Sequence, residues 1–223
     1  MNKKYLFLMF AAVFTATATG AFAIPEFRAS AGVGGYFTSD FGGGFTASGI
    51  GEKVNAKSPY AGGGGFAFLD LTFVEFTLGF FGGGGDMAFE EISGGIKISE
   101  KINWSLTGLD IGLLGKFPVI MSNQLTIFPF LGITYRAILS GKVEGESVDD
   151  PGESSSLWFR FGGGLDYSFN DNVFFRAGLL YGVRLSNKEE RDLVKIFNDI
   201  PGVSASTRLG HGLELKLAIG RRF

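Results

Sequence analysis

"AGGGGFAFLDLTFVEFTLGFFGGGG" (residues 61–85) sets two runs of four glycines around sixteen residues that are mostly Phe, Leu and Val. As one helix those sixteen would be about 24 Å long, short of a bilayer core, with Asp70 and Glu75 midway. From Val74 onward the period is two: Val74, Phe76, Leu78 and Phe80 fall on one side, Glu75, Thr77 and Gly79 on the other. That is a strand with one apolar face and one small or polar face. "YAGGGGFAF" before it is also extended in character, and the residues around Asp70 to Thr72 can turn the chain, so the stretch reads as a tight hairpin. A three-residue turn pairs Phe68 with Val74 and sends Phe66 and Phe68 to the apolar face; a two-residue turn puts Ala67 and Leu69 there instead. The former is favoured, because it gathers the Phe side chains into one girdle. The glycine runs lack the Lys and Ser/Thr of a nucleotide loop and read as points of curvature and close backbone approach.

The same alternation recurs in "EFRASAGVGGYF" (26–37), "LTIFPFLGITYRAI" (125–138), "LWFRFGGGLDYSF" (157–169), "VFFRAGLLYGVRL" (173–185) and "HGLELKLAIGRRF" (211–223). One segment slips phase: Ile96, Ile98, Ile102, Trp104 and Leu106 are even-numbered, Leu109, Ile111 and Leu113 odd, which predicts a β-bulge near Thr107–Gly108. Eight strands result. Short turns near Asp70, Pro118 to Asn123 and Asn170 to Asn172 alternate with longer polar links near 38–59, 86–100, 140–156 and 186–207. This is the pattern of an all-β, eight-stranded antiparallel up-and-down transmembrane barrel, with its short turns and both ends in the periplasm. A soluble β-sandwich alternates too, but its second face would rarely be so rich in glycine.

Composition agrees with export and a membrane. Cys is absent and His occurs once, which argues against thiol chemistry, disulfides and multi-histidine metal sites; neither a metal nor another cofactor is expected. "MNKKYLFLMFAAVFTATATGAFA" (1–23) has a basic start, a short apolar core and an Ala21-Phe22-Ala23 end, and reads as a secretory signal peptide cleaved between Ala23 and Ile24. Its apolar part is shorter than an uncleaved anchor would need. Residues 24–223 would then be the barrel. Cleavage removes two of the 20 basic residues and none of the 22 acidic ones, leaving a mildly acidic chain with no basic face suited to nucleic acid.

With this pattern from Phe27 to Phe223, and with the ending "LAIGRRF", the sequence resembles the small bacterial outer-membrane barrels of the OmpX, OmpW and opacity-protein type. The resemblance implies that alternate apolar residues Leu215, Leu217 and Ile219, with terminal Phe223, form the signal presented to the barrel-assembly machinery after passage with periplasmic chaperones. Arg221 stands where these proteins commonly carry an aromatic residue. Outer-membrane lipid is the other implied partner.

If the apolar faces meet lipid, the opposite faces line the lumen. Arg28, Arg136, Arg160, Arg176 and Lys216 would face Glu75, Asp110, Asp166 and Glu214 there, and paired ions would fill a barrel just wide enough for side chains. The acidic stretch "SGKVEGESVDDPGESSS" (140–156) reads as a solvated loop, with divalent-cation binding the less favoured alternative. In "SNKEERDLVKIFNDIPG" (186–202), Ser186 and Glu189 have capping-box spacing, and Leu193, Val194, Phe197 and Ile200 make one apolar stripe. A short amphipathic helix is predicted from about Lys188 to Asn198, over the barrel mouth or on the membrane surface.

Three functions compete. A non-enzymatic surface barrel would act structurally or as an adhesin, meeting a host or solute ligand at its loops. A narrow channel for small hydrophobic solutes is what the OmpW type implies. A lipid-modifying enzyme is the remote third, because His211 has only Leu209 and Leu213 at two-residue spacing and no Ser beside it.

Overall fold

The computed structural model describes residues 27–49, 52–93 and 96–223; the predicted cleavage site at Ala23 and Ile24 lies outside them. Alternation becomes thirteen strand segments in one antiparallel sheet. They are β1 (Ser30–Phe41), β2 (Gly44–Gly49), β3 (Glu52–Lys57), β4 (Tyr60–Asp70), β5 (Val74–Ser93), β6 (Ile96–Lys116), β7 (Val119–Ile120), β8 (Leu125–Val143), β9 (Glu146–Ser147), β10 (Ser156–Ser168), β11 (Val173–Asn187), β12 (Val203–Arg208) and β13 (His211–Arg222). One α-helix, α1 (Lys188–Asn198), precedes β12.

Eight of the segments pair in a closed circuit: β1 with β4, β4 with β5, then β6, β8, β10, β11, β13 and back to β1. The remaining segments explain why there are more than eight. β7 and β9 are two-residue bridges on β8. β2 continues β1 after a break at Gly42–Gly43, β3 runs into β4 across Ser58–Pro59, and β12 runs into β13 across Leu209–Gly210. Gly42 and Gly44 at the first break have φ of +82° and +130°, which side-chain-bearing residues rarely adopt. Above the breaks β12, β2, β3 and β5 pair in that order, so part of what reads as polar link at 38–59, 86–100 and 186–207 is a sheet extending beyond the closed barrel. These extra strands are too short, and their alternation too mild, to stand out by hydropathy.

Inward and outward faces follow parity along each strand. Phe76, Leu78 and Phe80 on β5, with Leu113 and Ile111 on β6, are exposed outward, as are Leu213, Leu215, Leu217 and Ile219 on β13. The hairpin of residues 61–85 takes the register Asp70↔Glu75, Leu69↔Phe76, Phe68↔Thr77. Phe66 and Phe68 therefore point into the barrel, 7% and 3% exposed, and Leu69 points out. This corrects the favoured three-residue turn. The Phe girdle loses to the charged lumen, where Phe68 lies 4.6 Å from the Arg176 guanidinium and Phe66 lies 5.2 Å from the Lys216 ammonium. Asp70 closes the turn by accepting the Thr72 N–H at 2.8 Å, with Thr72 at φ +70°.

The two glycine runs lie side by side, with Gly62↔Gly83 and Gly63↔Gly82 as register partners. A Cβ on Gly83 would sit 2.8 Å from the Tyr60 hydroxyl, and one on inward-facing Gly64 would collide with the Phe80 carbonyl. The runs thus make room for Tyr60 and Phe81, which meet edge to face at 6.3 Å.

The phase slip has its register shift between Thr107 and Gly108, but the extra residue, Leu139, belongs to the neighbouring β8. Trp104 and Leu106 therefore do not turn outward. They pack on the buried cluster of Tyr60, Phe81 and Ile138.

Candidate functional site

The lumen holds two ionic networks. In the periplasmic half, Arg176 from β11 faces Asp166 on β10 and bonds it through Nε–Oδ1 and Nη2–Oδ2, both at 2.7 Å. Arg176 Nη2 also donates to Asp70 Oδ2 at 2.6 Å, and Nη1 donates to Glu75. Lys116 Nζ donates to the same Asp70 oxygen. The rings of Phe68, Phe128 and Phe174 surround the guanidinium at 4.6, 5.2 and 5.1 Å. In the extracellular half, Arg136 reaches Asp110 through Nε at 3.0 Å and Asp40 through Nη1 at 2.6 Å. Tyr36 donates its hydroxyl to Asp110 at 2.9 Å. Between the networks Glu214 pairs with the Lys216 ammonium at 3.3 Å and lies 3.4 Å from the guanidinium of Arg160, which is fully buried, makes no hydrogen bond through its side-chain nitrogens among the described residues and lies 4.8 Å from the Trp158 ring.

Of the nine charges assigned to the lumen by parity, the structure buries Glu75, Asp110, Arg136, Arg160, Asp166, Arg176, Glu214 and Lys216. Arg28 is a correction: it precedes β1 with its side chain exposed, while its backbone N–H and C=O bond the Thr72 hydroxyl at 2.7 and 2.8 Å. Asp70, Lys116, Asp40 and Tyr36 are further members. The parity of inward-facing Thr38 and Leu114 points to Asp40, Tyr36 and Lys116, whereas Asp70 reads by spacing as a turn residue. A central cavity bounded by Tyr36, Asp110, Thr134, Glu214 and Lys216 has a volume of about 10 Å³, room for roughly one water.

Above the lumen, α1 rests on the sheet extension. Val194 and Phe197 pack against Phe45, Ala47 and Ala56, with Phe89, Val203 and Ala205 beside them, and Phe197 stacks on Phe45 at 5.5 Å. Phe89 shares β5 parity with Glu75 and Phe81, so the helix lies on the face continuous with the barrel interior. It also touches the turn at Pro151–Ser154, which packs on β8. Of the two predicted positions, the mouth is the one occupied. Ile200 lies beyond the helix and is exposed, while the side chains of Ser186, Glu189 and Leu193 lie outside the described ones. Asn198 grips the free edge of β12 by accepting the Ala205 N–H at 2.7 Å and donating to the Ala205 carbonyl at 3.3 Å.

The acidic stretch after β8 is solvent-exposed, and Glu144 accepts the Asn103 backbone N–H at 2.5 Å. His211 sits on the outer wall, its Nδ1 2.7 Å from the Tyr181 hydroxyl and its ring stacked on Phe41. At the C-terminus Leu215, Leu217, Ile219 and Phe223 are all exposed. Among the described residues no helix is long and apolar enough to cross a membrane.

A family described as "Outer membrane protein beta-barrel domain" matches residues 9–214. The chain belongs to this outer-membrane β-barrel family. Its location is the outer membrane, where the apolar wall meets lipid. No curated protein matches the chain. Its fold is similar to that of OprG from Pseudomonas aeruginosa (9% identity, TM-score 0.46, covering 89% of this chain and 97% of that one). It is also similar to Neisserial surface protein A (13%, 0.43, 85% and 97%) and to Ail of Yersinia pestis, solved in complex with the heparin analogue sucrose octasulfate (14%, 0.40, 89% and 100%).

Proposed function

We propose that this outer-membrane barrel is a non-enzymatic surface protein with a filled lumen, acting through the sheet and helix that stand above the membrane. The observation that carries the reading is the lumen itself: two ionic networks interleaved with aromatic rings cross it, and the cavity bounded by Tyr36, Asp110, Thr134, Glu214 and Lys216 has a volume of about 10 Å³. Charged groups are costly to bury, and their removal from water is offset here by mutual pairing, not by a conducting column of water. The extracellular strands, by contrast, form a broad ordered surface. Residues 1–23 direct export, and Leu215, Leu217, Ile219 and Phe223 are the part offered to the assembly machinery. His211 bonds the Tyr181 hydroxyl on the outer wall and stacks on Phe41, and its ring nitrogen makes no hydrogen bond to a Ser among the described residues, so no hydrolytic role is assigned to it.

The test is transport through the folded protein. Planar bilayers should show no stable ionic conductance, and liposomes should take up small apolar solutes no faster with the protein than without it. Uptake that depends on residues 188–198 would replace this reading with the narrow-channel one.

A further inference from the structure

The outward face of the sheet extension differs sharply from its inward face. Register partners directly opposite one another share a face of the sheet. Arg208 pairs with Gly44, Gly44 with Lys57, Lys57 with Ala88 and Ala88 with Lys101, so five strands place one row across the sheet. The row reads cation, glycine, cation, alanine, cation. With neighbouring strands about 4.8 Å apart, each cation stands roughly 10 Å from the next along the row. Ala88 has the parity of lipid-facing Phe76, Leu78 and Phe80, and β5 pairs with β6 from Val74 to Ser93 without a register shift. The row is therefore on the outer side of the wall, above the apolar belt.

Three features make this row more than scattered surface charge. Its level is set by the chain: along β6 the outward positions pass from Ile111 and Leu109 through Thr107, Ser105 and Asn103 to Lys101, and Asn103 meets Asp86 at 3.4 Å just below the row. Arg208 is held in place by neutral partners, with Nε on the Thr46 hydroxyl at 3.0 Å and Nη2 on Asn55 Oδ1 at 3.1 Å, which leaves its charge uncompensated by them. Lys57 and Lys101 are exposed and, among the described residues, join no ion pair. The acids near this face are Asp86 and Glu144, both at the level of Asn103 beneath the row, and Glu90, one row above it, where Lys53 follows in the next.

We propose that Arg208, Lys57 and Lys101 form a docking face for the phosphate-bearing sugar head groups of the anionic glycolipid that surrounds the barrel in the outer leaflet. The partner follows from charge complementarity and from continuity with the lipid-facing wall: a ligand whose acyl chains lie in the membrane beside β5 and β6 would extend its head group up the wall to this row. Each cation near such a surface strengthens binding about fivefold, so the row concentrates one kind of lipid around the protein. The inference deepens the surface reading above by naming a partner for one face of the extracellular sheet.

The experiment uses the full mature chain folded in nanodiscs of phosphatidylcholine containing a minor share of bisphosphorylated lipopolysaccharide, with its enzymatically dephosphorylated form as control. Lipid retained per protein is measured by mass spectrometry. Wild type should enrich the phosphorylated form, and Lys57→Gln/Lys101→Gln should lose roughly 25-fold in affinity while keeping heat-modifiable gel mobility. Lys57→Glu should weaken retention further. Equal retention of the two lipids, or equal retention by wild type and the double glutamine variant, would overturn the proposal. Conductance is recorded on the same discs after transfer to bilayers: a conducting protein that still enriches the phosphorylated lipid sinks the closed-lumen reading alone, and a silent protein without lipid preference sinks this inference alone.

Discussion

Asp166 and Arg176 face each other across β10 and β11 and are joined by two parallel hydrogen bonds of 2.7 Å inside the barrel. Arg176 also carries Asp70 and Glu75, so one guanidinium neutralises carboxylates from three staves of the wall. Removing it strands three buried acids with Lys116 as the nearest compensation. Arg176→Leu should therefore cost about 3–5 kcal/mol, whereas Asp166→Asn, which leaves two acids and both cations, should cost less. The midpoint of urea unfolding in lipid, read by gel mobility, checks the ranking; a Leu variant as stable as wild type would remove the network's structural role.

The glycine runs predict a contrast between adjacent positions. A side chain on Gly64 points inward against the Phe80 carbonyl, while one on Gly65 points outward with its nearest neighbour, the Gly34 carbonyl, at 3.7 Å. Gly64→Val should destabilise by about 1–3 kcal/mol or block folding, and Gly65→Val should be near neutral, since it adds apolar surface on the lipid side. Folding yield into liposomes measures both. Equal yields would mean that the runs do not act by close approach.

Much of this architecture was legible because a barrel wall has a strict two-residue period: the outward rows on β5, β8, β10, β11 and β13 and the extent of α1 can be read from spacing alone. Parity also placed Arg136, Asp166 and Glu214 inside. What spacing cannot supply is the register across a turn. Phe66 and Phe68 are as apolar as any lipid-facing residue, and only their contact with Arg176 and Lys216, far away in sequence, decides that they face inward. Trp104 and Leu106 mislead in the same way, because the residue absorbing the shift lies on another strand. The sheet above the membrane was hidden for a different reason: Thr46, Asn55 and Ser206 make its outer face polar, so its strands resemble loops by composition.

Asn198 protects the exposed edge of β12 by using its side-chain amide as a substitute strand, paired to both backbone groups of Ala205. Asn198→Ala should leave the Ala205 N–H without that partner at a cost of about 1 kcal/mol, and it should free the edge for pairing with another chain. Amide exchange across 203–208 should accelerate, and cross-linking at Ser204 replaced by Cys should report new dimers. Unchanged exchange would show that the edge is protected by other means.

Phe197 ties α1 to the extension by stacking on Phe45, with Val194 beside it on the same apolar patch. The patch is separate from the ionic lumen, so the helix and the barrel should fail independently. Phe197→Ala should weaken docking of the helix by about 2 kcal/mol, below the range for a fully buried ring because this one is half-buried. Limited proteolysis should then cut between 188 and 201 while the barrel keeps its heat-modifiable mobility. If the closed-lumen reading is right, the variant should conduct no more than wild type, because Arg136, Asp110 and Asp40 still occupy the extracellular half of the lumen beneath the displaced helix. Conductance that appears on undocking the helix would instead make α1 the closure and the ionic network an inadequate seal.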